Sequence, residues 1–244
     1  MAIHTHPDAI RIVPLAHHPK HPPPGLSYRG GPLIKSVEIH VLYWGSYWNN
    51  ANSPSTADID GFFRFIVQSS FITQLAEYNV PAYQIGPGSL AQSSVLNVQV
   101  GSSLTDAQIR AELQKMVAAE TKHPPVTNNK LYVVLTPPGL QVVMGGGMSC
   151  STFCGYHDDI SGAIYYAVIA YPNCTGCNNG GSVFGSLTMV ASHELAEAIT
   201  DPIPGAGWYD DQRGEIGDFC NAEPKPLGQY VVQKIWSRNT GSCV

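Results

Sequence analysis

The run His193-Glu194-Leu195-Ala196-Glu197 holds the residues of this 244-residue chain best spaced for chemistry. On a helix, positions i and i+4 stack on one face, so His193 and Glu197 can grip one cation while Glu194 points about 100° round the axis. This is the spacing of the H-E-x-x-H zinc hydrolases, with a carboxylate in place of the second imidazole. Sites of that kind add a third ligand, a Glu roughly twenty residues further on, and an Asp a turn later that orients the first histidine. Glu215 stands 18 residues after Glu197, and Asp218 follows it in Gly214-Glu-Ile-Gly-Asp218. Asp218 and Asp201 are the alternatives to Glu215 as third ligand. The expected ion is Zn2+. Asp201, Asp210, Asp211, Glu215 and Asp218 crowd into one short stretch, so a calcium loop competes for some of them and Ca2+ is an additional structural candidate.

With one neutral imidazole and two carboxylates, such a zinc carries no net charge and polarises water less than a two-imidazole site, which predicts activity favouring alkaline pH. Glu194 is placed as the general base. His157 and Tyr209, then Tyr156, are candidate donors to an oxyanion. An ordinary hydrogen-bonded loop residue is the competing reading of each.

The elements that must position these groups follow from periodicity. Val183 to Thr200 reads as a helix stopped by Pro202. Ser36 to Trp44 alternates with period two and reads as a strand. Ser55 and Thr56 can cap a helix whose buried face runs from Ile59 to Tyr78. Ser94 to Val100 is a second strand, and Thr105-Asp-Ala-Gln108 is a capping box opening a helix to about Glu120. Leu131–Leu135 and Ala163–Ala170 are buried strands separated by a Gly/Cys-rich loop. Gly145-Gly146-Gly147 lacks the lysine of a phosphate cradle and reads as a turn, and the aromatics of 42–48 read as a strand end packed in the core. The predicted fold is α/β (α+β): one domain over 36–244, a mixed twisted sheet with packed helices and a zincin-like active-site helix. A flexible His/Pro-rich arm, carrying His4, His6, His17, His18 and His21, covers 1–35.

Only 13% of residues are charged, with a net charge of −5, so there is no basic field for nucleic acid. The longest apolar stretch is far too short to span a bilayer. The cysteines Cys150, Cys154, Cys174, Cys177, Cys220 and Cys243 fall in the last hundred residues. Disulfides within each successive couple are the simplest pairing, and a four-thiolate zinc site from the first four is the alternative. Disulfides place the chain in an oxidising compartment, although no signal peptide is visible.

Val41-Leu-Tyr-Trp-Gly45, Leu131-Tyr-Val-Val-Leu-Thr136, Cys150-Ser-Thr-Phe-Cys-Gly-Tyr-His157, Cys174-Thr-Gly-Cys177 and Cys243, in this order, resemble the phosphate-induced (EXORDIUM-like) secreted proteins. Plant members of that family are apoplastic proteins linked to cell expansion, have no established enzymatic activity and commonly lack the His-Glu pair. Microbial members look closer, through Ser192-His-Glu-Leu-Ala-Glu-Ala198, Thr200-Asp-Pro202, Trp208-Tyr-Asp210 and Glu215-Ile-Gly-Asp-Phe-Cys220. The resemblance implies a secreted, disulfide-bonded chain. The function expected from the residues is a secreted, monomeric zinc metallohydrolase acting on a peptide or protein. The runner-up is a non-catalytic extracellular metal-binding protein that contacts a cell-wall polymer or a protein, and a glycan or ester hydrolase is a weaker third reading.

Overall fold

The structure, a computed structural model, describes residues 25–50, 52–120, 128–178 and 181–244. Most of the predicted arm, residues 1–24, lies outside the described residues. Residues 25–35 do not behave as an arm: Ser27–Tyr28 pairs antiparallel with Trp208–Tyr209, and Leu33 and Ile34 are buried in the core.

The alternating run 36–44 is strand β1 (Ser36–Trp44). Its Ile39, Val41 and Tyr43 face one core layer and its Leu42 and Trp44 the other, as period two requires of a strand covered on both sides. Strands β2 (Gly86–Leu96) and β3 (Lys130–Leu135) flank it, both parallel to it. The strands β4 (Gly155–Ile160) and β5 (Ile164–Ile169) complete the sheet, β5 parallel to β3 and β4 antiparallel to β5. The order is β2-β1-β3-β5-β4, which leaves β4 at one edge.

Local signals set most of the helices. In α1 (Thr56–Ile66), Ser55 and Asp58 form a capping box. The long helix expected as far as Tyr78 is broken before α2 (Ser70–Leu75). Ser69 causes the break: its hydroxyl donates to Ile66 O (2.7 Å) and accepts from Phe71 N (3.2 Å), ending one helix and starting the next. The helix α3 (Asp106–Glu120) opens on the expected box, with Gln108 Oε1 2.8 Å from Thr105 N. Last, α4 (Val183–Thr200) begins where Ser182 Oγ accepts from Gly185 N (2.9 Å). Helices α1, α2 and α4 share one core layer, and α3 packs on the opposite face of the sheet.

Three expectations need correction. The second strand occupies 86–96 rather than 94–100; its Pro87, Ser89, Gln92 and Ser93 are exposed on an edge strand, where hydrophobic alternation is not required. The loop expected between β3 and β5 contains β4 and two short strands, Gln141–Met144 and Gly147–Met148. The disulfides are Cys150–Cys174, Cys154–Cys177 and Cys220–Cys243, so the first two couples cross-link as parallel rungs instead of pairing within themselves. With all six cysteines oxidised, the four-thiolate zinc site is excluded. These rungs clamp the entry to β4 onto the segment that leads into α4.

Candidate metal centre

Helix α4 is buried on every side from Gly185 to Thr200, so His193, Glu194 and Glu197 lie inside the protein rather than on a solvated face. The predicted i,i+4 pairing is realised: His193 Nε2 and Glu197 Oε2 face each other at 3.1 Å, and neither has a hydrogen-bond partner. The loop after α4 supplies the third corner. Its Asp218 Oδ1 lies 4.0 Å from His193 Nε2, and His193, Glu197 and Asp218 form a compact triad of metal-ligating groups.

The polar atoms that do not face the centre are anchored. Glu197 Oε1 accepts from Asp218 N at 3.1 Å, and Asp218 Oδ2 accepts from Glu215 N at 3.0 Å. His193 Nδ1 is 2.7 Å from the side-chain amide nitrogen of Gln233, on the strand β6 (Tyr230–Gln233) that runs beside α4. The loop can approach this closely because residue 217 is glycine: a Cβ there would lie 2.8 Å from both Glu197 Oε1 and His193 Nδ1.

Glu215 joins the cluster from a different side. Its Oε2 is 3.0 Å from His157 Nε2, which in turn is 3.8 Å from Glu197 Oε2, and His157, Glu197 and Glu215 form a second triad. His157 reaches it from β4, where His157 and Gly155 point toward α4 while Tyr156 and Asp158 point to the α3 side. Residue 155 is glycine for a reason of space, since a Cβ would meet Glu194 Oε1 at 2.8 Å. Glu194 is fully buried there with both carboxylate oxygens lacking a hydrogen-bond partner.

Thus the structure gathers His193, Glu194, Glu197, Glu215 and Asp218, but Asp218 rather than Glu215 completes the His193–Glu197 triad and Gln233 rather than Asp218 meets the other ring nitrogen; His157, expected as an oxyanion donor, lies within reach of the ligands. Other candidates are elsewhere. Asp201 caps α4, its carboxylate accepting from Gly205 N, Ala206 N and Gly207 N, so it belongs to neither triad although it adjoins Glu215. The Tyr156 hydroxyl donates to Asp106 at 2.8 Å on the α3 side of the sheet, and the Arg29 guanidinium stacks on the Tyr209 ring at 4.7 Å. Asp210 accepts from Gln212 N and Arg213 N, and Asp211 is an exposed partner of Arg29. Of the five acids of 201–218, Asp201, Glu215 and Asp218 therefore adjoin one another, while Asp210 and Asp211 make their contacts elsewhere. Gln233 was not legible in the sequence, because no spacing rule links it to residue 193.

The electrostatics follow from burial. Desolvation drives the Glu194 and Glu215 carboxyls well above the usual carboxylate range, with neighbouring acids adding to the rise for Glu215. Burial takes His157 down to about 4. His193 is subject to the same desolvation, but the facing carboxylates of Glu197, Glu194 and Asp218 outweigh it and push the ring up to about 10, against the Gln233 amide nitrogen, whose approach to Nδ1 at 2.7 Å favours a neutral ring. The cluster therefore holds acids that resist ionisation and an imidazole that attracts a proton. A divalent cation resolves both tendencies at once, and neutral imidazole with carboxylate is a donor set suited to zinc.

Comparison of the chain with protein-family models finds no match, and a search of curated proteins finds none either.

Proposed function

We propose that this chain is a secreted zinc-dependent hydrolase, most simply a peptidase. One observation carries the reading. His193, Glu197 and Asp218 each anchor one polar atom elsewhere and turn the other toward a common centre, beside a buried Glu194 whose two oxygens have no hydrogen-bond partner. A zinc ion held by these groups would supply a Lewis acid and acidify a water molecule. Glu194 then takes a proton from the attacking water and gives it to the leaving amine, and burial makes its carboxylate the stronger base. His157 stands across from Glu197 as the nearest neutral ring.

An extended peptide suits the surroundings better than a sugar. Strand β4 is an edge of the main sheet next to α4, and an edge strand can recruit a peptide through backbone hydrogen bonds. Secretion is supported by the three disulfides, which persist in oxidising compartments. Among the described residues no helix is long and apolar enough to cross a membrane.

The second reading, a metal that only stabilises the fold, is favoured by the burial of the ligands, none more than 9% exposed, because closed sites are typical of structural zinc. Metal analysis of the wild type and of Glu194→Gln separates the two. An enzyme retains zinc in the variant and loses peptide hydrolysis by several orders of magnitude. A structural site gives zinc in both proteins and hydrolysis in neither. Absence of bound metal from the wild type rejects both.

A further inference from the structure

We infer that the centre takes two divalent cations, with Glu197 as the bridging carboxylate between a His193–Asp218 site and a His157–Glu215 site. This rests on the metal reading above and extends it, since a hydrolase of the expected kind needs only one ion. Glu197 Oε2 is buried, has no hydrogen-bond partner, and lies between two imidazole Nε2 atoms, 3.1 Å from that of His193 and 3.8 Å from that of His157. The two triads share only Glu197. The ligands of a single tetrahedral zinc lie about 3.3 Å apart, so one ion serving both triads would have to draw them together into one group.

Glu194, Glu197, Glu215 and Asp218 are all buried, and the ion pairs that Glu197 and Glu215 make among the described residues are to the two imidazoles, so Glu197 faces a second imidazole–carboxylate pair besides the one that His193 and Asp218 provide. Each site then has the same donor set, one imidazole and two carboxylates, with Glu197 common to both. Carboxylate-bridged ions of this kind sit about 3.5–4 Å apart and can share an attacking water between them.

The test counts ions in the full chain. Protein stripped with a chelator is reloaded with Zn2+, gel-filtered and assayed for bound metal, with Glu197→Ala as the background for ions held by the histidines of residues 1–24. The expected result is two ions above that background, falling to one in His157→Gln. Loading with Co2+ gives a reading that does not depend on either variant folding, because two bridged Co2+ ions couple magnetically and one does not. A wild type that saturates at one ion, an unchanged count in His157→Gln, or an uncoupled Co2+ spectrum overturns the two-ion inference and leaves the hydrolase proposal standing. A count of zero overturns both.

Discussion

Gln233→Glu should tighten zinc binding, a gain of function that follows from the direction of one amide. The Gln233 nitrogen donates to Gly217 O at 2.9 Å, and its oxygen accepts from Ala222 N at 3.2 Å, so two backbone groups fix which end of the amide faces His193. The nitrogen end faces Nδ1 at 2.7 Å. Nδ1 must therefore accept, and the ring proton sits on Nε2, the atom that would hold the ion. To ligate through Nε2, His193 must move its proton to Nδ1, and the amide must turn its oxygen there, giving up both backbone hydrogen bonds. At about 1 kcal/mol each, that is about 2 kcal/mol, or about thirtyfold in apparent affinity. A carboxylate at 233 accepts from Nδ1 without turning. Zinc affinity, measured by competition with a chromophoric chelator at fixed pH, is expected to rise about thirtyfold, within the 10- to 100-fold span typical of groups that orient a ligand. The metal-free variant should lose about 1–3 kcal/mol of stability, because Gly217 O would then face a second acceptor. Nitrogen-15 chemical shifts of His193 in the metal-free proteins supply the independent reading: Nε2–H in the wild type and Nδ1–H in the variant. Equal or weaker zinc binding by a folded variant, or an Nδ1–H ring in the wild type, refutes the reasoning.

Other perturbations follow from the same geometry. Gly217→Ala places a methyl 2.8 Å from both His193 Nδ1 and Glu197 Oε1, and the chelator assay should show at least a tenfold loss of zinc affinity. Replacing Cys220 and Cys243 by serine opens a link with a sequence separation of 23 and should cost about 3 kcal/mol in denaturant unfolding; an unchanged midpoint would mean that the loop carrying Glu215 and Asp218 is held by packing alone.

What the sequence made legible was what local rules control. The capping residues at Ser55 and Thr105 and the alternation of 36–44 mark their elements because each signal acts within a few residues. The pairing of His193 with Glu197 was legible for the same reason, since helix geometry alone stacks i on i+4. What was hidden depends on contacts between distant segments. His157 becomes a neighbour of Glu197 only because β4, a strand too polar to show a clean hydrophobic pattern, lies antiparallel on β5 and is held to the approach of α4 by two disulfide rungs. Gln233 meets His193 only because β6 runs along α4, with Gln233 N on Ser192 Oγ at 2.9 Å and Thr188 Oγ1 on Val231 O at 2.7 Å. The glycines at 155 and 217 gave no signal of their own, yet both mark places where another segment reaches the acidic side of α4 closely enough to exclude a single methyl group. The helix thus specified half a ligand set in a form that local rules disclose. The half that decides whether one cation or two could settle there came from an edge strand and the loop after α4, whose positions only the folded chain fixes.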